Sequence, residues 1–419
     1  MPVPNLDRIS YDQAIGLMKI RYLNMVRDTL WNSDDQLYAR FEKIGRDRQG
    51  VSAAGARIPV NLGGVLGGQF VPEGGDLPTS GGAEWRQFEV FFHDFVIPLR
   101  FTERQWLTLQ GNDVRSVANV LREGFRLMTL GARKIFSRLI PGDGSGRLAT
   151  VSAATTNSST VPTGSGDKAF FIDRGMVVDI YDSTGTTKRN SAPLLVTAVA
   201  ADLSSFTVNA TLSLSANDVV YLAGSKDDAF HGLSYHINNS GTYQGISRAD
   251  YPHQLNSIVV DKAGNAVSLS DFRRVFGRVR LRGVSNKRSF EIWASVDQLE
   301  PFLEFGTPLK RFTGTDLEPS FNEEELTIEG VKIFAGIDLP AGTWWFLNMD
   351  HFFWLINKDL GPKVAPDGKE KYYLIPSGST YKNEYITWYS ASLELVGTNP
   401  RCQALIKNAS FQGAYRAGV

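Results

Sequence analysis

A single cysteine, Cys402, stands among 419 residues, so no disulfide within the chain can brace the fold. The 5 histidines leave few soft ligands for a structural zinc site. A reducing compartment fits this composition. No charge of one sign dominates, because Lys plus Arg and Asp plus Glu both number 44; any polyanion or membrane contact must therefore come from a local patch. No segment has the length and apolarity needed to span a bilayer, and the N-terminal MPVPNLDRIS lacks a basic stretch followed by an apolar run. We therefore expect a chain made and used in a cytoplasm, or carried away from it inside a larger particle. Lysine is missing from the whole interval between Lys43 and Lys134.

That interval holds VNLGGVLGGQFVPEGGDLPTSGGAEW, with paired glycines Gly63 and Gly64, Gly67 and Gly68, Gly74 and Gly75, and Gly81 and Gly82. Paired glycines can cradle a phosphate, but a nucleotide loop would end in Gly-Lys-Ser or Gly-Lys-Thr before a helix. Here no lysine follows, and the next run alternates like a strand. Elsewhere the chain is rich in bulk, with 42% apolar residues, 25 Phe, 14 Tyr and 8 Trp. This supplies cores for two or three globular domains.

Residues 11–31 carry Ile15, Met18, Tyr22, Met25 and Val26 at helical spacing after Ser10, which predicts a short amphipathic arm. Its charged face mixes signs, so it fits a protein surface better than a membrane. After the glycine pairs, QFEVFFHDFVIPLRFT puts Phe95, Ile97, Leu99 and Phe101 on one side of a strand, with Pro98 marking an edge position. Together the two pieces predict a long projecting hairpin, roughly 50 to 65 Å if extended. A ribbon of that length buries little alone and implies a second subunit to lie on.

From Asn112, Val114, Val117, Leu121, Phe125, Met128, Ala132, Ile135 and Leu139 recur at 3 and 4 spacing up to Pro141, predicting a helix about 39 Å long. Arg115, Arg122, Arg126, Arg133 and Arg138 sit off that stripe. They form either a solvated charged face or an electropositive stripe toward a polyanion. From Gly142 to about Gly245 short β-branched runs alternate with turn clusters, which predicts an inserted all-β module. GDGSGR at its entrance follows a helix and reads as a linker. Beyond it, VSLSDFRRVFGRVRLRG predicts a capped helix, and SFEIWAS, VKIFAGIDL, TWWFLNM, HFFWLI and YITWYSASLELVG predict strands. The last third reads as an α+β body whose sheet is covered on one side.

Enzymatic readings are poorer. Glu318, Glu323, Glu324, Glu325 and Glu329 crowd one loop, whereas glycoside hydrolysis needs carboxylates facing each other across a cleft. His231 and His236 lack a third ligand nearby in sequence, and Cys402 lacks a histidine partner. No catalytic, cofactor or metal residue is expected.

Taken in order, the arm, the Gly-rich loop ending in EWRQFEVFFHDFVIPLRFT, the long amphipathic helix, the segment around IWASVDQLEPFL, the LTIEGVKIFAGIDLPAGTWWFLNMD run and a last strand near CQALIK resemble the major capsid protein of tailed bacteriophages, the HK-97-like fold, over nearly the whole chain. The resemblance implies an α+β fold with an N-terminal arm (1–50), an extended loop (51–105), a spine helix of the peripheral domain (106–141), an inserted β module (142–245), and an axial domain with the rest of the peripheral domain (246–419). It implies no cofactor, a virion location after assembly in the host cytoplasm, and a homo-oligomeric shell of pentamers and hexamers around double-stranded DNA. A separate scaffolding protein, a portal and a decoration protein are further implied partners; no membrane is.

The resemblance recasts the glycine pairs as hinges that let one sequence occupy several shell environments, at an entropic cost that assembly contacts must offset. It makes Arg57, Glu73, Asp76, Glu84 and Arg86 candidate contacts to the next subunit. It turns Arg115, Arg122, Arg126, Arg133 and Arg138 toward DNA phosphates, without base specificity. The lysine-free interval argues against the lysine–asparagine crosslink of some relatives. An encapsulin shell is the alternative of the same fold, and a phage-associated glycan hydrolase a more distant one.

Overall fold

The structure is a computed structural model that describes residues 36–47, 55–64, 82–102, 114–164, 169–282, 289–299, 330–362 and 380–410, with the short pieces 68, 70–73, 75–76, 327–328 and 373–377. The expected arm helix at 11–31 and the acidic residues Glu318, Glu323, Glu324, Glu325 and Glu329 lie outside the described residues.

In chain order, α1 (Gln36–Glu42) and β1 (Arg46–Asp47) lead into β2 (Gly55–Gly63), β3 (Glu84–Phe91), β4 (His93–Thr102) and the long α2 (Val114–Leu139). Then come β5 (Arg147–Thr150), β6 (Thr155–Pro162), β7 (Val177–Tyr181), β8 (Leu194–Val199), β9 (Ser205–Leu214) and β10 (Val219–Leu222). The remainder comprises α3 (Leu233–His236), β11 (Thr242–Tyr243), β12 (Ile246–Ser247), α4 (Pro252–Leu255), β13 (Ile258–Asp261), α5 (Leu269–Leu281), β14 (Phe290–Ser295), β15 (Thr327–Ile328), β16 (Val331–Gly336) and β17 (Trp344–Asn348). Last are β18 (Phe352–Pro362), β19 (Tyr373–Ser377), β20 (Thr380–Gly397) and β21 (Ala404–Lys407).

The helix periodicity read from the sequence is the periodicity of burial. Met128, Ala132, Phe136 and Leu139 of α2 are buried, while Arg126 and Arg133 face outward. The helix stops where Pro141 removes the next donor. α5 starts on a full capping box: Ser268 Oγ accepts from the Asp271 backbone N–H, and the Asp271 carboxylate accepts from the Ser268 N–H. Its inward face is Phe272, Val275, Phe276 and Val279.

Two large sheets form the body, where the sequence suggests one. β1, β18, β20 and β19 run in that order with β4 added on β20, while β13, β21, β17, β14, β16 and β15 form a second sheet. α2 lies against β4 of the first, and α5 covers the second through Phe272, Trp344 and Phe346. Between them, Phe41, Phe136, Trp293, Trp345, Phe352, Trp354 and Leu395 share one core. Each helix therefore covers its own sheet, because each apolar stripe is only wide enough for one face.

The inserted segment is a barrel. Its strands follow the order β5, β10, β7, β8, β9, β6, and a Val151–Thr163 bridge joins the two ends, with Gly164 N–H donating to the Thr150 carbonyl at 2.9 Å and Ser152 N–H to the Pro162 carbonyl at 3.0 Å. Closure removes the open strand edges. Val151, Val161, Val178, Ile180, Val196, Phe206 and Val220 fill an interior separate from the body core.

The hairpin also differs from the expectation. β2 and β3 pair antiparallel from Gly55–Phe91 to Gly63–Glu84, a ribbon about 30 Å long. β4 leaves it after Phe92 and pairs with β20 over Thr102–Glu384 to His93–Leu393. Phe95, Ile97 and Leu99 turn inward while Val96 and Pro98 are exposed, so the alternation that suggested an extended arm instead builds the edge of the body. Pro98 sits where a strand needs no second partner.

Candidate assembly surfaces

The root of the hairpin is fastened to the body. Phe88 is fully buried among Leu62, Tyr243, Ile246 and Leu255, the Glu89 N–H donates to the Gln244 carbonyl at 2.9 Å, and Gln254 Nε2 donates to the Leu62 carbonyl at 3.1 Å. At the very base, Gly55 has φ 151°, and a Cβ there would lie 2.2 Å from the Val90 carbonyl oxygen. Only glycine fits this crossing, and it is not one of the paired glycines.

Of the paired glycines, Gly67, Gly74 and Gly81 lie outside the described residues. Gly63 belongs to the β2 ladder and Gly64 follows it. A Cβ at Gly68 or Gly82 would meet nothing within 4 Å, whereas at Gly75 it would come within 2.9 Å of Val71 Cγ1. Gly75 closes a turn by donating to the Pro72 carbonyl at 2.9 Å. Close packing thus constrains Gly75 but not Gly68 or Gly82.

Three of the charged residues expected to reach a neighbouring copy are engaged within the chain. Arg57 Nη2 lies 3.3 Å from Glu89 across the hairpin. Arg86 Nε donates to Tyr251 Oη at 3.1 Å and its Nη2 to Glu84 Oε1 at 3.1 Å, and the Tyr251 hydroxyl donates to the same Glu84 oxygen. The Tyr251 hydroxyl and then Arg86 hold the Glu84 carboxyl below its usual value. Glu73 and Asp76 are exposed beyond the ladder. The apolar side chains that the hairpin leaves in solvent went unremarked at the level of sequence: Phe70 is fully exposed, and Trp85 and Phe91 are 65% and 62% exposed.

The arginine stripe divides. Arg115 and Arg122 belong to α2, but their side chains are outside the described residues. Arg126 and Arg133 are exposed, and Arg133 Nη2 donates to Glu42 at 3.2 Å. Arg138 has to be withdrawn from any DNA-facing set, since it is only 9% exposed. Its Nη1 donates to the Phe171 carbonyl at 2.6 Å. The same nitrogen lies 2.9 Å from Asp173 Oδ2, which Lys134 Nζ also approaches to 2.8 Å. The last turn of the helix enters the barrel's surface there, so its final arginine anchors the module. Helical spacing alone could not show that burial.

Sequence distance does not set the partners of the histidines. His236 turns into the core, where Nε2–H donates to the Leu395 carbonyl at 3.0 Å and Nδ1 lies 3.1 Å from Tyr243 Oη. Burial lowers its pKa to about 3, so the ring is neutral. His231 instead meets His93 from the start of β4 and Glu394 from β20. Residues 93 and 394 are too far from 231 in sequence for spacing to reveal them.

No protein-family model matches the sequence, and no curated protein matches it. Solved structures do match. The chain is 12% identical to a chain of the cyanophage A-1(L) capsid asymmetric unit, over 94% of this chain and 98% of that one, with a TM-score of 0.59. It is 12% identical to the capsid of a native GTA particle, over 93% and 95%, at a TM-score of 0.50. A weaker likeness, 10% identity over 94% and 95% with a TM-score of 0.45, is to the holo-SrpI encapsulin complex from Synechococcus elongatus. The class defined by the fold is α+β. Within it, the chain has the HK-97-like capsid fold, here carrying an inserted barrel.

Proposed function

We propose that this chain is the major capsid protein of a tailed double-stranded DNA phage, its copies tiling an icosahedral shell as pentamers and hexamers. The observation that carries this reading is the end-to-end likeness to the cyanophage A-1(L) capsid, which leaves only 2% of that chain unmatched (100 − 98). A likeness of that extent takes in hairpin, long helix and both sheets together, whereas an enzyme sharing one domain would match in part.

The mechanism is structural. One face of the hairpin packs on the body along the ladder through Phe88 and Leu62, while Trp85 and, beyond the ladder, Phe70 are exposed. Exposed aromatics on a thin ribbon gain about 25 cal/mol per Å² when a neighbouring copy covers them. Glu73, Asp76 and the pair formed by Arg57 and Glu89 line the same ribbon and supply register more than affinity. Gly68 and Gly82, where a Cβ would meet nothing within 4 Å, leave the segment beyond the ladder room to adjust to different neighbours. Arg115, Arg122, Arg126 and Arg133 then face packaged DNA, binding phosphates without reading bases. Scaffolding, portal and decoration proteins would complete the particle, in a virion assembled in the host cytoplasm.

Negative-stain electron microscopy of the purified chain, expressed with and without its neighbouring genes, tests this. Closed shells or regular five- and six-membered rings support the reading. Shells filled with a protein cargo and free of DNA would transfer it to an encapsulin. A chain that stays monomeric under all these conditions would defeat both.

A further inference from the structure

Glu394 lies in β20 with a side chain only 2% exposed, and both of its carboxylate oxygens are occupied by imidazoles. His93 Nδ1 is 2.7 Å from Oε2, and His231 Nδ1 is 2.8 Å from Oε1. The His231 backbone N–H also donates to Oε1, at 3.1 Å. All three candidate ligand atoms lie within 4.8 Å of one another. The two rings meet edge to face, with centroids 5.3 Å apart.

We propose that His93, His231 and Glu394 form a binding site for a transition-metal ion of the Zn²⁺ class, which fastens the first residue of β4, the chain leaving the barrel and the C-terminal part of β20 to one another. Two imidazole nitrogens and one carboxylate are the donor set of an open tetrahedral zinc site, with a fourth position for water. His231, with a side chain 35% exposed, opens the site to solvent, while His93 is 15% exposed. Ligand atoms around tetrahedral zinc stand about 3.4 Å apart, following from bonds of about 2.0 to 2.1 Å. The 2.7 and 2.8 Å contacts go to different carboxylate oxygens, so binding through one oxygen opens one of them by roughly 0.6 Å and draws ligand atoms now up to 4.8 Å apart together by up to about 1.4 Å. That is within the reach of side-chain torsions.

Coordination replaces the protons now shared with the carboxylate. Each Nδ1 that becomes a ligand must be unprotonated, so each ring keeps its remaining proton on Nε2. A neutral ring does this by changing tautomer, and a charged ring releases one proton to solvent. The surroundings hold the rings for this purpose. Tyr235 lies over His231 with centroids 3.9 Å apart, and its hydroxyl accepts from the Gln244 N–H at 2.8 Å, fixing the platform. On the other side a Cβ at Gly144 would come within 3.0 Å of His231 Cδ2, so glycine leaves the ring its place. Asp228 and Asp94 add negative potential at His93. The site stands on these residues alone, independent of whether the chain forms a capsid.

The full chain would be equilibrated with ZnCl2, passed into metal-free buffer, and assayed for retained metal and thermal unfolding. MgCl2 and CaCl2 serve as controls, and Co²⁺ as a spectroscopic probe. About one zinc per chain, visible Co²⁺ absorption typical of a tetrahedral site, and a Tm rise of about 3 °C at 100-fold excess over Kd are expected. His231→Gln and His93→Gln should each abolish retention, while His253→Gln, at an exposed histidine outside the cluster, should not. Glu394→Gln provides a further variant if either histidine change proves unstable. Absence of retained zinc in the unaltered chain, or retention undiminished in the His93→Gln and His231→Gln double variant, would overturn the proposal.

Discussion

The ring of Phe88 meets Tyr243 edge to face, with centroids 5.4 Å apart and planes at 90°. One belongs to the hairpin and the other to the body, so this contact joins the two. Tyr243 in turn donates to the Gly397 carbonyl at 2.6 Å and carries the Arg248 guanidinium over its face, 4.5 Å from the centroid. Phe88→Ala should lower unfolding stability by about 3 to 5 kcal/mol in urea titrations. Hydrogen exchange should quicken in residues 55–63 and 84–91 while the barrel strands keep their protection. Unchanged exchange in the hairpin would mean that its root is held by the backbone bonds alone.

Removing apolar area from the far end should have the opposite signature. The Phe70→Ser, Trp85→Ser double variant should unfold within about 0.5 kcal/mol of the parent, because neither side chain packs in the single chain. Shell yield by electron microscopy should fall sharply if a second copy covers these aromatics. Normal shells from this variant would place the main intersubunit contact elsewhere.

Arg138 and the outer arginines should separate in a salt experiment. Arg138→Ala leaves Asp173 with less compensation and removes the donor to the Phe171 carbonyl, and should cost about 3 kcal/mol of stability. Arg126→Ala and Arg133→Ala should leave stability nearly unchanged. Each should lower the slope of log affinity for duplex DNA against log salt by about 0.9 if it contacts one phosphate. A loss of DNA affinity in the Arg138 variant at full stability would restore it to the interior stripe.

Asp271 should govern an acid limb of stability. Burial by itself would raise its carboxyl, but the Lys262 ammonium at 2.9 Å and the Ser268 hydroxyl and N–H hold it at about 2. The folded group binds its proton more weakly than the unfolded one, so the contribution is complete above the unfolded value near 4 and is lost as pH falls toward 2. Asp271→Asn should lower stability at pH 7 by about 2 kcal/mol and flatten the pH dependence between about 4 and 2. An acid limb of unchanged steepness would assign it to other carboxylates.

Much of this was legible in the residues. Period 3.6 in 114–139 and the Ser268–Asp271 cap are local properties, and local properties survive in any context. The short alternating runs of 147–222 likewise announce strands, because each needs only its own pattern. The ordered series of elements was enough to indicate the capsid fold.

What the sequence by itself determined was the kinds of elements, their order and the absence of disulfide bracing. Tertiary structure alone decided where equivalent-looking residues go. Arg133 and Arg138 are neighbours on one helix, yet one faces solvent and the other is buried, because the barrel covers only the helix's last turn. His231 and His236 are five positions apart, yet one meets His93 and Glu394 while the other packs neutral in the core. Burial and partnership are set by segments from 33 to 163 residues away, and a linear pattern carries no record of which surfaces will be pressed together.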